Sequence, residues 1–131
     1  MFLETLPADD GASYTLLNAA GGAVVADVVE AALTRRTRNQ GLLGRDHLAA
    51  GHALILAPCW TVHTWFMQFP IDVIFVKRSG LVVKTCAAVP PRRLLVGWGA
   101  YATVELAAGA LERTPVRAGD RLELRRKSQL A

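Results

Sequence analysis

Pro70 is followed by Ile-Asp-Val-Ile-Phe-Val, six residues of which only Asp72 is polar. Proline lacks the backbone donor that a strand interior needs, so it marks a strand start. Side chains alternate along a strand, and this run is apolar on both faces. It therefore reads as a central strand covered from both sides. A carboxylate inside such a strand is costly to bury unless donors meet it, so the fold has to deliver a partner to Asp72. Arg78-Ser79-Gly80 supplies a turn in which glycine takes the conformation others avoid, and Leu81 to Val89 reads as the antiparallel return strand.

The rest of the chain arranges itself around this hairpin. Ser13 to Asn18 and Val24 to Ala32, separated by Ala19-Ala20-Gly21-Gly22, read as a second hairpin, with helix as an alternative for Val24 to Arg38. Thr34 is placed to cap a short helix, Arg35 to Gln40, closed by Gly41. Gly51 to Ala57 reads as a strand stopped by Pro58. Cys59 to Met67, if extended, turns Cys59, Thr61, His63, Trp65 and Met67 one way and Trp60, Val62, Thr64 and Phe66 the other. Pro90-Pro91 ends the central hairpin, and a loop carrying Trp98 follows. Ala100 to Leu106 is a strand, Ala107 to Arg113 a short helix, and Arg121 to Arg125 a last strand. Many short strands with one or two short helices make an α+β, β-rich single domain. Its expected form is a small antiparallel barrel or strongly curled sheet.

Composition agrees with a folded domain: 131 residues, 52% hydrophobic and 20% charged. No run approaches the ~18 apolar residues of a membrane span. The N-terminal Met-Phe-Leu-Glu-Thr-Leu-Pro-Ala-Asp-Asp-Gly is acidic where a secretion signal is basic, so a cytoplasmic location is expected. In that compartment Cys59 and Cys86 read as small core residues, and a disulfide between them requires neighbouring strands. The net charge of +4 lies mainly in Arg35, Arg36 and Arg38, in Arg92 and Arg93, and in Arg125, Arg126 and Lys127. These clusters are separated and lack interleaved aromatics, which argues against nucleic-acid binding.

The residues with chemistry gather before and within the central strand. His63 can serve as a general base or a ligand contact, or it can be packed and anchored between Thr61 and Trp65. Thr64, Trp65, Met67 and the loop residue Trp98 complete a polar and aromatic set suited to ligand binding. For Asp72 the structural reading is preferred, with backbone N–H groups or an arginine as donors and Arg45 as the expected partner. If the chain is an enzyme, His63 with Asp72 or Glu105 is the acid/base pair. Among Cys59, His63, His47, His52 and Cys86 no paired close spacing of a zinc site occurs, so neither metal nor other cofactor is expected.

Taken in order, these pieces resemble the domain of unknown function 192 family, small bacterial and archaeal proteins. The likeness rests on Thr34 with Gly41-Leu42-Leu43-Gly44-Arg45, on Val62-His63-Thr64-Trp65-Phe66-Met67, and on Phe69-Pro70-Ile71-Asp72-Val73-Ile74-Phe75. The Gly80 hairpin, Pro90-Pro91, Val104-Glu105-Leu106 with Gly109, and Gly119-Asp120 extend it. The resemblance covers about residues 24–125 and implies a compact β-rich fold without an agreed reaction. The commoner family pattern has Phe-Trp-Met and then Lys-Asn-Thr before the Pro-x-Asp strand, so His63 belongs to a subset. The expected function is a module that binds a small molecule or a partner protein around His63. A hydrolase and a structural accessory of a larger assembly are the alternatives.

Overall fold

The computed structural model describes Phe2 and residues 13–127; the rest of the N-terminal extension, residues 1–12, lies outside the described residues. Ten strands and two short helices form from these residues. In order they are β1 (Tyr14–Asn18), β2 (Val24–Ala26), β3 (Val28–Ala32), α1 (Arg35–Gln40), β4 (His52–Leu56), β5 (Thr61–His63), β6 (Ile71–Val76), β7 (Val82–Val89), β8 (Leu94–Val96), β9 (Ala102–Ala107), α2 (Ala110–Arg113) and β10 (Leu122–Arg126). They make a five-stranded sheet in the order β3-β4-β9-β6-β7, a three-stranded sheet β10-β1-β2, and a two-stranded sheet β5-β8. The sheets stay open, so of the two forms expected the curled sheet is the one adopted.

β6 is buried at all six positions and lies between β9 and β7, as its two apolar faces require. One pairing departs from the antiparallel expectation: β3 and β4 run parallel. A parallel pair cannot be closed by a tight hairpin and needs a crossover, which here contains α1. Its ends follow the local chemistry. The Thr34 hydroxyl accepts from the Thr37 amide at 3.1 Å, while the Thr37 hydroxyl oxygen accepts from the Thr34 amide at 3.1 Å, a reciprocal capping box. Gly41 closes the helix at φ 47°.

The period of two sorts the five-stranded sheet into two faces. Ile74, Val76, Val104 and Leu106 pack with Leu16, Leu122 and Leu124 of β1 and β10. Leu54, Leu56, Val73 and Phe75 pack on the other side with Leu42, Leu48 and Val62. Asp72 is in step with Ile74 and Val76, so it turns to the first face, toward α2. Glu105 is out of step with Val104 and Leu106, so it turns to the second.

Asp72 is fully buried, and its donors differ from the arginine expected. Its Oδ1 accepts from the Ala88 amide and its Oδ2 from the Leu111 amide, both at 2.8 Å. Arg45 instead donates to the two carboxylate oxygens of Glu30, at 2.9 and 3.2 Å. The reason is local. Ile71 pairs with Val89 and Val73 with Cys86, so Ala87 and Ala88 together oppose Asp72 in a β-bulge, and Ala88 sits at φ 51°. α2 begins at Gly109, which has no side chain to cap it, and Asp72 takes that part from β6. Replacing Asp72 with alanine strands two buried donors. Urea unfolding is expected to give a loss of about 2–4 kcal/mol, with Asp72→Asn losing less because it keeps one acceptor.

Candidate functional site

After Pro58 the chain leaves the main sheet. The Cys59 amide donates to Tyr101 O at 2.8 Å, and the Thr103 hydroxyl donates to Cys59 O at 3.0 Å, which ties the start of the excursion to β9. β5 then pairs with β8 and not with the five-stranded sheet. The pair forms a strap over the second face, pinned by Val62 and Leu95. Its other end is held by Thr64, which is buried, donates to Pro90 O at 2.8 Å and accepts from the Arg93 amide at 2.8 Å. Gly97 ends β8 close against β6: a Cβ there would overlap the Phe75 ring.

Between this strap and the segment Arg38–Leu43 lies a cavity of about 430 Å3. Leu56 and Glu105 line it from the sheet, Cys59, Trp60, Thr61 and His63 from the strap, and Met67 from the turn beyond. Arg38 is held in its wall by Nη1, which donates to Leu33 O at 2.8 Å and Ala57 O at 3.4 Å.

Glu105 is the unusual member. It pairs across the sheet with Leu54 on one side and Val73 on the other, and it is only 6% exposed. No hydrogen bond reaches its carboxyl from the described residues, whereas every fully buried side-chain polar atom among them has a partner. Its oxygens thus keep a little accessible surface, and the cavity is what they border. Burial pushes its pKa up to about 7, and the charge of Arg45 opposes the rise. Burial also pushes the Cys59 thiol up, with the Glu105 charge acting in the same direction. Cys59 Sγ donates to Thr61 O at 3.1 Å, so the sulfur is held as a thiol and not as a nucleophile.

The other candidates spread out. His63 is exposed at the rim, 6.1 Å from the Trp65 ring in an edge-on contact, and forms no hydrogen bond with the described residues. Asp72 faces the opposite side of the sheet, so the structure does not bring His63 and Asp72 together as an acid/base pair. His63 and Glu105 line one cavity without a bond between them. The extended run from Cys59 to Met67 holds only over β5. A turn at Trp65 and Phe66 exposes both, with Phe66 at φ 67° and 81% exposed. Trp98 is 75% exposed and leans on Trp60 with centroids 5.1 Å apart. Both cysteines are free, Cys59 in the segment between β4 and β5 and Cys86 in β7. Among the described residues no three His, Cys, Asp or Glu side chains converge on one point, and no helix is long and apolar enough to cross a membrane.

The model of the domain of unknown function 192 family, described as "Uncharacterized ACR", matches residues 16–124. The chain belongs to this family. Two solved structures share the fold of this family member. One, from Sinorhizobium meliloti, is named as a candidate transcription regulator. It is 25% identical, with TM-score 0.74, covering 86% of this chain and 92% of its own. The other, a protein of unknown function from Novosphingobium aromaticivorans, is 24% identical with TM-score 0.72, covering 90% of each chain. None of the curated proteins compared with the chain matches it.

The buried carboxyl makes stability depend on pH. Glu105 titrates near 7 when folded against an ordinary 4.5. Below the lower value both states are protonated, and the contribution is fully present. As pH rises toward 7 the unfolded chain ionises first, so stability falls, and it levels off above the folded value. Urea unfolding is expected to show a fall of about 3 kcal/mol from this group between pH 4.5 and 8. Glu105→Gln should remove that component and be more stable than the parent at pH 8.

Proposed function

We propose that this protein is a small-molecule-binding module that works through the cavity floored by Glu105. One observation carries the reading: a carboxyl 6% exposed, without a hydrogen bond of its own, borders a cavity of about 430 Å3. That volume is in the range of small-ligand sites, which are mostly apolar with a few fixed polar groups. Leu42, Leu56, Val62 and Met67 supply the apolar part, Glu105 the polar anchor and Trp60 a flat aromatic wall.

Hydrolysis has less to support it. A nucleophile activated by an oriented base is what such chemistry needs. Cys59 is held as a thiol, and His63 has no hydrogen-bonded orienting group among the described residues. Control of transcription, suggested by the name of the Sinorhizobium protein, also lacks a carrier here, since the helices described have six and four residues. We place the module in the cytoplasm, where its two unpaired cysteines stay reduced.

The test is a fragment screen by ligand-observed NMR on the parent and on Thr61→Trp. Thr61 is an exposed strap residue that lines the cavity, so a large ring there fills space without entering the core. Binders are expected with the parent and should be lost with Thr61→Trp while its melting temperature stays close to that of the parent. A parent that binds no fragment, or a variant that binds all of them equally well, overturns the reading.

A further inference from the structure

We propose that the ligand is an organic cation, a protonated amine on an apolar or aromatic body, whose ammonium is bound by the Glu105 carboxylate. This rests on the binding reading above and adds the chemical class. An ionised carboxylate only accepts hydrogen bonds, and in a low-dielectric site it needs donors or a counter-charge. The described residues supply no donor, and the counter-charge that acts on it, Arg45, does not offset the burial. Arg45, whose charge acts on Glu105 through space, is committed to both oxygens of Glu30, and Arg38 directs Nη1 to two backbone carbonyls. An ammonium with three N–H groups answers both needs at once. The walls fit its body: the Trp60 indole and the Met67 thioether lie beside aliphatic Leu42, Leu56 and Val62, and aromatic faces attract cations. A bare metal ion fits poorly, since among the described residues no group of three His, Cys, Asp or Glu side chains forms around Glu105.

Binding then exchanges one positive charge for another. At slightly acid pH the carboxyl holds a proton, and an arriving ammonium expels it. The charged or titratable groups around the carboxyl are Arg45 through space, and Cys59, Arg38 and His63 on the cavity walls. The arginines keep their charge throughout. Burial pushes the Cys59 thiol up, away from the neutral range, and brings the Glu105 carboxyl into it.

Three probes of one shape separate the classes: phenethylamine, 2-phenylethanol and phenylacetate. Each is titrated into the intact protein by calorimetry at pH 6 and pH 8, in buffers of different ionisation heat. Phenethylamine is expected to bind best. Its affinity should rise about tenfold from pH 6 to pH 8, with close to one proton released at pH 6. In Glu105→Gln both the preference over 2-phenylethanol and the pH dependence should vanish.

The inference is overturned if the alcohol or the acid binds as well as the amine, if the pH dependence persists in Glu105→Gln and so belongs to another group, or if phenethylamine fails to bind at millimolar concentration. In each case fragments lost on Thr61→Trp would leave the binding reading standing. A parent that binds no fragment would remove both.

Discussion

The two hydrogen bonds accepted by Asp72 tie α2, which no ladder joins to the sheet, to the paired strands β6 and β7. β6 carries the carboxylate, a bulge in β7 gives it one amide, and the first turn of α2 gives it the other. Each of those two segments is irregular in a way that leaves a donor unused, one at a bulge and one at a helix start without its own cap. A single buried charge therefore satisfies two backbone faults at once, and the central strand can be apolar everywhere else. With β6 set, β9 pairs along its whole length, and the register of β9 decides which of its side chains meets which face.

Glu105 poses the same physical problem on the opposite face and receives the opposite answer. Both carboxylates lie in strands of otherwise apolar or small residues, and both are nearly inaccessible. Donors meet one of them, while the other has only a cavity before it. A chain under pressure for stability alone has simple ways to remove the second, since an aliphatic residue would pack well between Leu54 and Val73. Keeping a carboxyl there costs the floor of the cavity some stability, which is how binding sites commonly differ from cores.

Much of the fold was legible because its signals are local. Gly80 marks the central hairpin, Thr34 and Gly41 mark both ends of α1, and the unbroken run after Pro70 marks a central strand. The parallel β3–β4 pair was not legible, since nothing in either strand's pattern records the direction of its neighbour. Strand β8 went unseen because three residues between Pro90-Pro91 and Gly97 carry too short a pattern. At the site, the argument applied to Asp72 applies equally to Glu105, a lone acid among Ala102-Thr103-Val104 and Leu106. Yet Glu105 was weighed only as a partner for His63. The wall from Arg38 to Leu43 had no signal of its own: only the crossover of α1 brings it opposite the strap. The Arg45–Asp72 pairing failed for a related reason, because an exposed Glu30 on the neighbouring strand lay within easier reach of the guanidinium.

The strap of β5 and β8 has a consequence for how anything enters the cavity. Its ladder spans three residue pairs, its backbone is tied down near Cys59 and Thr64, and Val62 and Leu95 anchor its middle. The floor belongs to the five-stranded sheet, the wall to this small separate unit. A ladder this short holds little by itself, so the strap owes its place to those end ties and to the two apolar side chains beneath it. The width of the cavity is then set by the seating of this strap, and its floor by the ladders of β4, β9 and β6.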